Sequence, residues 1–168
     1  MATGQLSFPE NFKIVDGYNA NVGAAAVVTG AYISVKNCQR IWVVIKYRQA
    51  DGTSITWNVT KATAVAGTNA TVTDVLMPVW SNLSTATNDT LVRRTDAVNY
   101  ASGTGTGLKV VIFEVDPDAL GQLSGTPYSA ICGASTTAIA AGQYVDITYY
   151  VQPRYQSKAS SAPTLVTD

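Results

Sequence analysis

Glu114, Asp116 and Asp118 stand at alternate positions, just after an apolar run that opens on the glycine-rich stretch Gly103-Thr-Gly-Thr-Gly107. Carboxylates placed in pairs serve glycosidases as acid and base, and a glycine loop ahead of a helix cradles phosphate. The neighbouring residues fit neither chemistry. Pro117 interrupts the alternation, and Asp-Pro-Asp is turn and helix-start chemistry, with Asp118 expected in a cap or Asx turn. A Walker loop ends in Gly-Lys-Ser/Thr at the start of a helix. Here Leu108-Lys109 follow, leading into a β-branched run, and Leu108 also stands where the dinucleotide fingerprint needs its third glycine. The loop is therefore read as a turn, and residues 108–115 as a core strand.

The chain has no histidine, which removes Ser-His-Asp and Cys-His catalysis, His-ligated zinc and the commonest general base at neutral pH. Cys38 and Cys132 lack Cys-x-x-Cys spacing, so no zinc site is expected. Their apolar and small-residue surroundings predict buried free thiols. The acidic spacing does not match an EF-hand loop. The expectation is a protein that is not an enzyme and carries no cofactor and no metal.

Eleven basic and eleven acidic residues balance, and charged residues make up only 13% of the chain. Nucleic-acid binders usually carry a clustered basic face. Arg93-Arg94 and Lys46 with Arg48 are too sparse for one, so no nucleic-acid partner is expected. No apolar run approaches the length of about 18 residues needed to span a bilayer. The N-terminus lacks the pattern of a secretory signal, so four Asn-x-Ser/Thr sequons are expected to stay unmodified and no membrane partner is expected. Low charge with abundant Thr, Ala and Val suits a subunit that buries much of its exterior, which predicts a homo-oligomer.

The tryptophans divide. Trp57 falls in phase with Ile55 and Val59, so it belongs to a core face. Trp42 lies inside an apolar run and is expected to be buried. Trp80, beside Pro78 in a polar region, is the candidate for a surface contact.

These residues need strands to hold them, and the pattern supplies strands almost alone. Residues 41–47 form a continuous β-branched and aromatic run of strand length. Asp51-Gly52 is a hairpin signal, and residues 54–61 then alternate, so 41–61 is predicted to be a β-hairpin. Shorter alternating segments occur at 32–35, 71–76 and 128–132. Residues 143–152 place Val145, Ile147, Tyr149 and Val151 on one face. Roughly eight strands at this spacing predict an all-β fold, a single antiparallel β-sandwich of jelly-roll type, with a barrel as the alternative. The predicted organisation is an N-terminal arm over 1–11, a β-sandwich domain over 12–156 and a C-terminal tail over 157–168.

Several segments together carry a resemblance: Tyr32, Ser34, Lys36 and Asn37 ahead of the predicted hairpin; Ala62, Ala66, Gly67 and Thr68 in the following loop; Val115, Asp116 and Leu120 at a strand end; and Arg154-Tyr155 near the close. In this order the chain, over about residues 12–155, resembles head decoration or auxiliary capsid proteins of tailed bacteriophages. It departs from them in a longer polar segment around 80–107 and in the tail beyond Tyr155. The resemblance implies a β-rich virion protein made in the bacterial cytoplasm, with the major capsid protein as partner and the capsid surface as location. Phe8, Phe12, Trp80, Arg154 and Tyr155 are the expected capsid or subunit contacts. A minor capsid, neck or tail component is one alternative, and a carbohydrate-binding β-sandwich using exposed aromatics is another.

Overall fold

Alternation of apolar side chains makes strands here wherever one face can be buried. The structure is a computed structural model and describes residues 8–154, so Tyr155, most of the predicted arm and the whole predicted tail lie outside the described residues. In chain order, one helical turn α1 (Phe8–Asn11) precedes β1 (Lys13–Asn21), β2 (Ile33–Ser34), β3 (Cys38–Gln49), β4 (Thr56–Ala62) and β5 (Thr71–Val72). Next come β6 (Met77–Asn82), β7 (Val92–Ala97), β8 (Asn99–Ala101) and β9 (Gly107–Val115), then a 3₁₀ turn (Pro117–Leu120). The chain continues through β10 (Gln122–Leu123), β11 (Thr126–Pro127) and β12 (Ala130–Ser135) to β13 (Tyr144–Pro153).

Two antiparallel sheets carry the fold. One has six strands in the order β1-β13-β3-β9-β6-β7; the other has the order β2-β12-β4-β5, with β8 also paired to β4. They pack face to face. Ile41, Val43, Ile45 and Tyr47 of β3, Val111, Phe113 and Val115 of β9 and Val145, Ile147, Tyr149 and Val151 of β13 line one inner layer; Trp57 and Val59 of β4 and Ile131 of β12 line the other. The all-β sandwich, the core strand at β9 and the predicted faces of β4 and β13 are as expected.

The predicted hairpin does not form. β3 pairs with β13 and β9, whereas β4 pairs with β12, β5 and β8, so the two strands belong to different sheets. Asp51 makes an Asx turn, its Oδ1 accepting from Thr53 N at 3.1 Å, and the segment arches across the sandwich. The reason lies in the inner faces. The rings of Tyr47 and Trp57 meet across the core with centroids 5.0 Å apart, whereas a two-residue Asp51-Gly52 turn would set Tyr47 opposite Thr56 and Trp57 opposite Lys46, on opposite faces of one sheet.

A buried polar cluster holds the glycine loop. Lys109 Nζ donates to Gln49 Oε1 and Ser102 O, both at 2.9 Å. Gln49 Nε2 donates to Thr53 O and Gly103 O, also at 2.9 Å. The loop is thus a turn, with positive φ at Gly103 (68°) and Gly107 (128°), and its backbone is tied to a core side chain rather than turned toward a ligand.

Both cysteines are buried and free, and burial pushes each thiol up to about 11. Burial also lifts Tyr47 to about 12 and raises Tyr149 above the ordinary phenol range. An acid whose pKa is higher folded than unfolded contributes stability below its unfolded value and loses it as pH rises toward its folded value. The thiols therefore weaken the fold from pH 9.0 to about 11, and Tyr47 from pH 10.0 to about 12. Lys109 acts in the opposite sense, because burial lowers its ammonium and deprotonation relieves that cost, but it is one group against four. With no histidine to titrate, Tm should be flat from about pH 6 to 8 and fall above about pH 9. A pH series of thermal melts checks this, and an unchanged Tm at pH 11 refutes it.

Candidate protein-binding face

The six-stranded sheet has a second face, turned away from the core, and its cross-strand rows decide what it presents. One row runs Ile14, Tyr150, Trp42, Glu114 across β1, β13, β3 and β9. The next runs Asp16, Thr148, Val44, Ile112, Trp80, Arg93 and reaches β7. The centre of both rows is aromatic or aliphatic, and the charges fall at their ends.

α1 lies over this centre. Phe8 and Phe12 stack with centroids 4.7 Å apart. Phe8 meets Tyr150 edge-on at 5.8 Å, and Phe12 meets Trp42 edge-on at 5.6 Å. Phe8 keeps 47% of its surface exposed. Between the turn and the sheet runs an apolar groove of about 330 Å³, lined by Phe8, Phe12, Trp42, Val44, Ile112 and Tyr150. Ion pairs border it: Arg40 with Glu114 on one side, and Lys46 Nζ with Asp146 Oδ2 at 3.2 Å on the other. Arg93 lies over the Trp80 ring, its Cζ 4.8 Å from the centroid, and pairs with Asp96.

Phe8, Phe12 and Trp80, named from sequence as contact residues, thus sit on one face. Trp42 corrects an expectation. It points outward and is half-buried by Phe12, not enclosed in the core, because the continuous run 41–47 is apolar on both sides of its strand and α1 covers only part of the outer one. Tyr150 and Ile112 were not singled out from sequence; the signal for Ile112 was the same two-sided apolarity in β9, and for Tyr150 the short run Tyr149-Tyr150-Val151 within β13. Arg154 lies elsewhere, at one end of the sandwich. Its backbone N–H donates to Asn37 O at 2.8 Å, its Nε donates to Cys38 O at 3.0 Å, and its guanidinium pairs with Asp118. It latches the end of β13 and lines a cleft of about 510 Å³ with Val35, Lys36, Pro117 and Tyr128.

The three carboxylates that opened the sequence question part company. Glu114 pairs with Arg40 on the outer face. Asp116 caps the 3₁₀ turn, its Oδ1 accepting from Asp118 N at 3.0 Å. Asp118 pairs with Arg154.

An uncharged aromatic centre with arginines and ion pairs at its border is the anatomy of a protein–protein contact. The Arg93 guanidinium covers one face of the Trp80 ring. No protein-family model matches the chain, and no curated protein matches it. Among solved structures the chain is similar to the SPBc2 prophage-derived protein YomS, with a TM-score of 0.42 and 11% identity over 83% of this chain and 93% of that one.

Proposed function

We propose that the chain is a non-enzymatic structural protein of a bacteriophage virion that binds the outer surface of the capsid and reinforces it. The motif resemblance to decoration and auxiliary capsid proteins supplies the setting. The observation that carries the reading is the outer face of the six-stranded sheet, where an aromatic groove is bordered by paired charges. Such a face binds protein through burial of its apolar centre, and paired charges at its border favour register over raw affinity. The partner in this reading is the major capsid protein, with no nucleic acid, membrane or cofactor involved. Many copies, each bridging neighbouring capsid subunits, add interface area and resist pressure from within through avidity.

The reading is tested by mixing the protein with undecorated heads and measuring occupancy and resistance of the heads to heat. Wild type should bind and raise the temperature of head rupture. Phe8→Asp places a charge at the groove on a side chain already 47% exposed and should lower occupancy at least about tenfold while leaving the melting of the free protein nearly unchanged. Heads that take up no protein, or that bind the variant as well as wild type, sink the proposal; binding to tail structures instead would move the protein to another part of the virion.

A further inference from the structure

Sheet edges expose backbone donors and acceptors, and folded proteins protect them with short strands, charges or bulges. Most edges here are protected in these ways. β2 and β5 are two residues long, β8 is three, and β7 presents Arg93, Arg94 and Asp96 among its six residues. β1 differs. It is nine residues long, ends its sheet, and carries Ile14 with 51% of its surface exposed. Its register with β13 is regular up to Asp16 and breaks at the bulge before Tyr18. At the bulge Gly17 O accepts from Ala31 N at 2.8 Å, which closes the edge there. Residues 14–16 are therefore the stretch at which another strand can add.

We propose that β1 pairs antiparallel with β1 of a second copy about a twofold axis normal to the sheet, with Ile14 opposite its counterpart. Such an axis leaves each sheet face on its own side, so only residues sharing a face can oppose one another. A twofold also brings like residues together, which disfavours any charge at the axis. Asp16 is excluded on that ground. Val15 packs against the core, whereas Ile14 stands exposed on the outer face beside Tyr150. Centring on Ile14 buries it and joins the row Glu114, Trp42, Tyr150, Ile14 to its own image. The two aromatic centres become one continuous band, with the Glu114–Arg40 pairs at its far ends.

The inference does not depend on capsid binding, and its test contains no capsids. Light scattering on the purified protein at about 100 µM should give about twice 17.7 kDa. Ile14→Lys sets two ammonium groups against each other and should raise the dimer dissociation constant at least about tenfold. In the Ile14→Cys variant the opposed Cα atoms would lie about 4.5–5.5 Å apart, within the Cα separation a disulfide spans, and mild oxidation should link the chains rapidly. Cys38 and Cys132 are buried and do not compete. Leu76→Cys, at a position 67% exposed and outside β1, is the control. A monomeric wild type overturns the proposal, as does a dimer in which Ile14→Cys links no faster than Leu76→Cys.

Discussion

Trp57→Ala should lower the free energy of unfolding by about 3–5 kcal/mol. Against a total of about 5–15 kcal/mol for a domain, that is enough to leave part of the population unfolded at room temperature. Trp57 is fully enclosed. It stands on β4 between Ser135 of β12 and Tyr100 of β8, and its ring reaches across the core to Tyr47. It therefore joins the sheets at a point where no smaller side chain spans the gap. Truncation loses both the transfer of a large apolar surface and the contacts lining the cavity left behind. Trp57→Phe should recover more than half of the loss. Trp42→Ala removes the same side chain from the outer face, where it is half-buried and meets Phe12 edge-on, and should cost less than half as much. Urea titrations of the three variants check the ranking, and equal losses at 57 and 42 would contradict the assignment of faces.

Individual strands were legible in the sequence because period-two alternation is a local property. β4, β9 and β13 needed only their own residues to be recognised, and β4 and β13 bury the predicted faces. Pairing was not local. Asp51-Gly52 is a sound hairpin signal taken alone, but the hairpin register would turn Tyr47 and Trp57 to opposite faces of one sheet, and only across two layers do both rings enter the core. β1 left little trace, since its sequence Lys-Ile-Val-Asp-Gly-Tyr is interrupted by the bulge at Gly17 and its edge position keeps much of it exposed. Pro78 has no N–H to give a strand ladder. It sits at the second position of β6, beside the register shift between Met77 and Val79, where a missing N–H is tolerated.

The candidate face was half legible for the same reason. Phe8, Phe12 and Trp80 stood out as large aromatics outside the alternating core pattern, and they do share a surface. What joins them is a cross-strand row, and residues as distant in sequence as Ile14, Trp42, Glu114 and Tyr150 become neighbours only through the order β1-β13-β3-β9. No window of sequence spans that row. The same holds for Arg154, whose role depends on meeting Asp118 and the carbonyl of Cys38 at the end of the sandwich.

Tyr149 is the second point at which one side chain joins the sheets, and it supports a sharper prediction. Its hydroxyl donates to Ala31 O at 2.9 Å and accepts from Gly133 N at 3.1 Å, so the phenol is fixed at its tip as well as by packing. Two glycines give it room. A Cβ at Gly30 would stand 2.7 Å from Tyr149 Oη and 3.2 Å from Gly133 O; a Cβ at Gly17 would stand 2.7 Å from both Tyr149 Cζ and Oη and also against the neighbouring ring carbon. Gly30→Ala and Gly17→Ala should each cost about 1–3 kcal/mol through overpacking. Tyr149→Phe should cost about 1–3 kcal/mol through the buried groups it leaves without a partner. The pairs then separate. Tyr149→Phe removes the oxygen that Gly30→Ala strikes, so that double variant should lose at least about 1 kcal/mol less than the sum of its singles. Gly17→Ala strikes ring carbons as well as the oxygen, and the ring remains in Tyr149→Phe, so that combination should couple by at least about 0.5 kcal/mol less than the Gly30 one. Denaturant unfolding of the two double-mutant cycles reads the difference directly. Equal coupling in both cycles would mean that the ring shifts freely in its pocket, and Tyr149 would then be a space-filling residue and not a tie between the sheets.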